Sequence, residues 1–201
     1  MIELHQTLLD KVKIIAEEAG QAILKIYQQD DFEVQIKSDQ SPLTKADLAT
    51  HHIITKALKK LTPEIPILSE EGEKLEDNID TFWCVDPLDG TKEFIKKNDE
   101  FTVNIALIEL HQPILGVIHI PVVNQTFMGL KGEGAFKTHN NQTQTLIKQT
   151  GEKHSPPIFV VSRSHLNEKT KAFIDLHQAG TIPAGSSLKL PLLAEGKVDA
   201  Y

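Results

Sequence analysis

Trp83-Cys84-Val85-Asp86-Pro87-Leu88-Asp89-Gly90-Thr91-Lys92-Glu93-Phe94 is the stretch on which the reading of this chain turns. An apolar, strand-like run delivers two carboxylates, Asp86 and Asp89. Pro87 and Gly90 predict a tight turn after the strand, with both acids aimed at one point. Gly90 frees the backbone to direct N–H groups at an anion, and Thr91 and Lys92 add a hydroxyl and a cation. Carboxylates of this kind gather hard divalent cations. A bare Asp-Pro-x-Asp also fits a solvated Asx turn. The Gly-Thr that follows, and acids upstream, favour a site.

Those acids are Glu70 and Glu71. Ile65-Pro66-Ile67-Leu68 predicts a short strand running into Ser69-Glu70-Glu71-Gly72. Adjacent acids on a loop are ordinarily just solvated. If this strand lies beside the 82–85 strand, however, Glu70 and Asp86 leave the sheet at one edge. Three carboxylates then surround one cavity, a supply that suits Mg²⁺. Two such ions about 3.5–4 Å apart relieve the repulsion between the acids and clamp an in-line displacement.

Thr91 is placed to orient a nucleophilic water if something accepts its own proton. Asp47 is the candidate. Its competing local role is as capping-box partner of Thr44, which opens a helix after Ser41-Pro42-Leu43. Haloacid-dehalogenase phosphatases carry Asp-x-Asp-Gly-Thr with a nucleophilic first Asp. Here one more residue separates the acids, which favours attack by water over an aspartyl-phosphate.

Outward from this core, apolar positions from Leu4 to Ile26 recur at helical spacing and predict a helix over residues 3–28. Residues 32–36 alternate like a short strand. The helix after Thr44 buries Ala46, Ala49, Ile53, Ile54, Ala57, Leu58 and Leu61. Residues 101–108, 114–120 and 125–130 predict an antiparallel meander, extended by 135–137 and 143–147. A polar tract ending at Pro156-Pro157 divides residues 1–150, an α+β lobe with the metal site, from 151–201, a partial α/β lobe. In the second lobe 158–161 is a strand, 167–179 a helix, and Gly185-Ser186-Ser187 opens a helix ending before Gly196 at its C′ position. Arg163, between two serines, fits an anion contact or a structural pairing. His51-His52 has no H-x-x-x-H partner and fits a surface or core role.

The chain of 201 residues has 40% hydrophobic and 24% charged residues, as globular domains do, and a net charge of −7. That charge argues against a nonspecific grip on nucleic acid or on anionic membrane. One cysteine, Cys84, allows no internal disulfide, and a cytoplasmic location is the expectation. The apolar residues around Cys84 predict a buried thiol. No signal peptide and no membrane span are read from the sequence.

Ser41-Pro42-Leu43-Thr44-x-x-Asp47, Leu68-Ser69-Glu70-Glu71-Gly72 and Asp86-Pro87-Leu88-Asp89-Gly90-Thr91 together resemble the inositol monophosphatase superfamily of Mg²⁺-dependent, lithium-sensitive phosphatases. Lys92-Glu93-Phe94-Ile95, Glu100-Phe101-Thr102-Val103-Asn104, Ser162-Arg163-Ser164-His165 and Gly185-Ser186-Ser187-Leu188-Lys189 resemble its bisphosphate nucleotidase branch. The resemblance spans nearly the whole chain.

It implies an α+β fold with layers α/β/α/β/α. It implies that Glu70, Asp86 and the Leu88 carbonyl hold one Mg²⁺ of two or three, and that Asp86 and Asp89 share a second. Asp47 and Thr91 would activate the water, with Glu70 assisting. Glu70, Leu88, Asp89, Gly90 and Thr91 would meet the phosphate end of the substrate, and Gly185, Ser186 and Ser187 its nucleoside end. The implied reaction converts 3′-phosphoadenosine 5′-phosphate to AMP and phosphate, a step serving sulfate assimilation. Peripheral inner-membrane association and oligomeric state stay open. The family continues to a Trp-Asp-x-Ala segment whose Asp completes the second metal site. This chain ends at Asp199-Ala200-Tyr201, so the resemblance implies an incomplete C-terminal lobe. The alternatives are a truncated, catalytically weak metal-binding product, and an inositol or sugar monophosphatase.

Overall fold

The computed structural model of the protein describes residues 6–29, 32–37, 41–76, 79–140, 142–146, 154–164 and 166–201. Its centre is a seven-stranded sheet of β3 (Ile67–Ser69), β4 (Thr81–Asp89), β5 (Thr102–Glu109), β6 (Gln112–Ile120), β7 (Gln125–Leu130), β8 (Gly134–His139) and β9 (Gln142–Leu146), paired in that order. β4 to β9 form the expected antiparallel meander. β3 is the exception. It runs parallel to β4, with Ile67 opposite Trp83 and Ser69 opposite Val85.

α1 (Gln6–Tyr27) and α2 (Lys45–Leu61) pack on each other and cover one face of this sheet. The predicted stripe of α1 lies inward through Val12, Ile15, Ala19 and Ile23. On α2 the fully buried positions are Ala46, Asp47, Thr50, Ile54 and Leu58, so a carboxylate and a hydroxyl share the apolar face. Trp83, Val85, Val103, Ile105, Leu107 and Val117 meet these helices from the sheet. The Trp83 indole N–H donates to Thr62 Oγ1 at 2.9 Å, satisfying the polar atom of a ring with no exposed surface.

Cys84 is exposed, contrary to the expectation of a buried thiol. Successive side chains of a strand point to opposite faces. Trp83 and Val85 take the helix-covered side. Cys84 takes the other, with Asp86, Asn104, Ala106, Gly116 and Ile118, where a cavity of about 640 Å³ opens.

The tight turn predicted at Pro87 is also corrected. β4 continues through Pro87 to Asp89, and Asp86 pairs with Asn104 while Asp89 pairs with Thr102. Two residues, Pro87 and Leu88, thus face one on the partner strand. This is a bulge, a place where a proline without an N–H is tolerated. The turn itself falls at Gly90, whose φ of 94° lies in the left-handed region.

β1 (Gln35–Ile36) pairs antiparallel with β2 (Pro42–Leu43) ahead of α2. A second sheet pairs β10 (Ile158–Ser162) parallel with β11 (Gly180–Ala184), with α4 (Glu168–Leu176) connecting them. A 3₁₀ turn (Ser186–Leu188) then leads into α5 (Lys189–Ala194), and Gly196 follows at φ 68° as expected for C′. Most of the polar tract read as a lobe boundary, with residue 150 in it, lies outside the described residues, as does His165.

Candidate active site

Topology brings the acids together. Because β3 and β4 run the same way, Glu70 follows β3 at the end where β4 delivers Asp86. The Glu70 N–H donates to the Val85 carbonyl at 3.0 Å, which fixes that register one residue before Asp86. The bulge then carries the chain round to Asp89.

The cradle beyond it is seated by aromatic packing. α3 (Thr91–Ile95) is one turn long, too short to hold itself. Phe94 anchors it, with ring centroids 4.8 Å from Phe32, 5.1 Å from Tyr27 and 5.3 Å from Phe101. The first N–H groups of such a turn have no partner within the helix. Gly90 is required twice over. Besides its positive φ, a Cβ there would stand 2.7 Å from the Glu100 carbonyl oxygen.

Asp47 meets both partners read from the sequence, Thr44 and Thr91, one with each oxygen. Its Oδ2 accepts from the Thr44 N–H at 2.7 Å and from Thr44 Oγ1 at 2.6 Å, closing the capping box. Its Oδ1 accepts from Thr91 Oγ1 at 3.1 Å. Thr91 Oγ1 also lies 3.2 Å from the Leu88 carbonyl, so one hydroxyl proton has two acceptors. Asp47 is only 2% exposed, and burial raises its carboxyl above the ordinary range against the pull of these hydrogen bonds.

Asp86 is the least satisfied group of the set. Burial first, and then the charges of Asp89 and Glu70, push its carboxyl up to about 8. Its Oδ1 is buried with no hydrogen-bond partner among the described residues. The flanking acids have partners. Glu70 pairs with Lys37 Nζ at 3.1 Å, and Lys37 also pairs with Glu71. Asp89 Oδ2 accepts from Ser187 Oγ at 2.5 Å, Ser186 Oγ at 2.9 Å and Asn104 Nδ2 at 3.3 Å.

Among the described residues no group of three His, Cys, Asp or Glu side chains stands ready to hold a metal ion. The fit to a hard cation rests instead on the chemistry of the donors. They are all oxygen, a few carboxylates with a backbone carbonyl between them. The orphaned Asp86 oxygen, whose ionised form lacks a donor, needs positive charge beside it.

Ser186 and Ser187 are placed against Asp89 and Gly185 against Glu100, while Ser162, Ser164, Lys92 and Lys189 line the same cavity of about 540 Å³. Sequence reasoning missed Lys37 and Asn104. Asn104 left a trace, a polar residue inside Val103-Asn104-Ile105; Lys37 left none. His51 Nδ1 lies 2.8 Å from Ser69 Oγ, beside the Glu70 loop. Arg163 pairs with Glu100.

A family model described as the inositol monophosphatase family matches residues 4–201. The 3′(2′),5′-bisphosphate nucleotidase CysQ of Escherichia coli (strain K12) is 42% identical over 199 residues, which are 96% of this chain and 79% of that protein. The protein of the same name from Haemophilus influenzae is 35% identical over 207 residues, 100% of this chain and 77% of that one. The crystal structure of CysQ from Bacteroides thetaiotaomicron, a bacterial member of the inositol monophosphatase family, superposes with a TM-score of 0.82 at 38% identity, covering 96% of this chain and 78% of its own.

Proposed function

From the premise that the chain belongs to the inositol monophosphatase family, we propose that it is a Mg²⁺-dependent phosphomonoesterase acting on a nucleoside 3′,5′-bisphosphate. The substrate is 3′-phosphoadenosine 5′-phosphate and the products are AMP and phosphate. In that role it serves sulfate assimilation in the cytoplasm and is inhibited by lithium. The relatives named for this nucleotidase activity support the choice of substrate.

Glu70, Asp86, the Leu88 carbonyl and Asp89 would hold the magnesium ions. Bound there, magnesium supplies charge stabilisation to the phosphoryl oxygens and acidifies water. The rest follows from the chain itself. Asp47 draws the Thr91 hydroxyl proton toward its Oδ1, which turns a lone pair of Thr91 Oγ1 toward the attacking water. As the water oxygen bonds to phosphorus and the phosphorus–ribose oxygen bond breaks, the water proton passes to Thr91 and the Thr91 proton to Asp47, while the departing ribose oxygen takes a proton from a second water and leaves as the 3′-hydroxyl of AMP. Burial makes Asp47 a better acceptor than an exposed aspartate. The N–H groups at Gly90 and Thr91 hold the phosphate. The cavity past them, toward residues 185–187, takes the nucleoside.

The observation that carries this reading is a hydroxyl–carboxylate couple, Thr91 and Asp47, just past the bulge that the orphaned Asp86 oxygen precedes. Phosphate release from the purified chain with Mg²⁺ tests it. The expected result is faster turnover of the nucleoside bisphosphate than of inositol phosphate, and none with EDTA. Equal turnover in EDTA rejects the metal reading, and faster turnover of inositol phosphate rejects the substrate.

A further inference from the structure

We propose that Arg163 and Glu100 are positioning residues for Asp89, acting across the two sheets through the backbone of residues 185–187. The inference rests on the reading of Asp89 as a metal ligand.

Arg163 follows β10 and grips Glu100, which precedes β5, in a two-pronged pair. Its Nε donates to Glu100 Oε2 at 2.6 Å and its Nη2 to Glu100 Oε1 at 2.5 Å. The same guanidinium donates to the Pro183 carbonyl at 3.0 Å. Glu100 Oε2 in turn accepts the Gly185 N–H at 2.9 Å. A Cβ on Gly185 would sit 2.8 Å from Glu100 Oε2 and 2.9 Å from Glu93 Cγ, so the backbone is pressed onto the carboxylate. Ser164 Oγ adds a tether to Glu93 Oε1 at 3.0 Å.

The far side of this turn touches the metal site. Ser186, held at φ 51°, and Ser187 both address Asp89 Oδ2, and Asn104 addresses Oδ2 and also Ser187 Oγ at 2.9 Å. A non-glycine residue at such a φ persists only where its surroundings enforce it. An aspartate carboxylate rotates freely in a broad two-fold well. Ser187 and Asn104 donate to Oδ2, and the one Ser186 proton is shared between Oδ2 and the Asp89 carbonyl; together they stop that rotation and leave Oδ1 to a cation. An exposed ion pair adds little stability. A planar fork that also holds a backbone N–H does fix position.

Mn²⁺ binding to the chain, followed by electron paramagnetic resonance, is the test. Circular dichroism establishes that each variant is folded. Ser187→Ala and Arg163→Ala should each weaken Mn²⁺ binding about 10- to 100-fold, as loss of a group supporting a metal ligand does. The Mg²⁺ concentration for half-maximal turnover should rise in parallel, and Arg163→Lys, which keeps charge without the fork, should recover only part of the loss. In the double variant the losses should not add, because both act on one oxygen. Should Arg163→Ala fail to fold, Glu100→Gln takes its place. Wild-type Mn²⁺ affinity in Ser187→Ala and Arg163→Ala, with Asp89→Asn defective, overturns the inference alone. Fully additive losses overturn the route through the turn. Wild-type affinity in Asp89→Asn overturns the ligand assignment on which it rests.

Discussion

Two polar clusters are buried against the same large sheet, and they close differently. One lies under α1. His119, 2% exposed, bonds through Nδ1 to Thr126 Oγ1 at 2.9 Å, Thr126 donates to Glu17 Oε1 at 3.2 Å, and Glu17 pairs with Lys13 at 3.0 Å. Since Thr126 gives its only proton to Glu17, His119 Nδ1 is the donor in its bond, and every member has a partner. The other lies at the end of β4, where Asp86 keeps an oxygen without one. Burial is common to both. The difference is whether donors match acceptors, and the mismatch falls where the proposed function puts a cation.

The largest effect should come from removing the mismatched acids. Asp86→Asn and Asp89→Asn should each lower phosphate release on the order of a thousandfold. Asp86→Asn should also raise the melting temperature in EDTA above pH 8. The carboxyl is raised from 3.8 to about 8, so the folded state keeps a proton that the unfolded chain sheds near pH 4. Stability therefore falls as pH rises through that window, and Asn escapes the loss. A lower melting temperature for this variant at pH 9 would break the contrast between the clusters.

The closed cluster should show the opposite slope. Burial holds His119 down at about 4 from an ordinary 6.5. The unfolded chain takes up its proton first, so stability falls as pH drops from 6.5 to 4, by about 3 kcal/mol. Urea unfolding across this range should show that slope in the wild type and a flatter one in His119→Gln, with turnover at pH 7.5 unchanged. Next, Asp47→Asn should lower kcat about 100-fold, with KM little changed. Thr91→Ser should keep most activity and Thr91→Val should match the Asp47 variant; equal rates for all three sink the proton relay. The smallest effect belongs to Gly20→Ala. Its Cβ would lie 2.5 Å from His119 Cδ2, so a loss of about 1–3 kcal/mol in unfolding free energy is expected, with kcat intact.

The helices and the meander were legible because their apolar periods are regular and each has one dry face. Cys84 was misread because its neighbours along the chain, Trp83 and Val85, point the other way. Pro87 reads locally as a turn, and only the pairing with β5 makes it a bulge. The acids at 70, 86 and 89 were visible as types at strand ends, but their approach depends on one parallel pairing among antiparallel ones. Asp47 could not be assigned between Thr44 and Thr91 from sequence, since only the fold shows that its two oxygens serve different partners. The grip of Arg163 on Glu100 spans two sheets and leaves no local pattern.

The outward-facing thiol of Cys84 gives the molecule a built-in labelling point. It is the only cysteine, and it sits two positions before Asp86 on the same side of β4. A nitroxide attached there requires no mutagenesis, and quenching of its signal by a paramagnetic ion would report binding at the proposed site beside Asp86. Trp83, the single indole, watches the opposite, dry side of that strand. One β-strand thus carries two independent spectroscopic channels, one tuned to ion loading and the other to global unfolding.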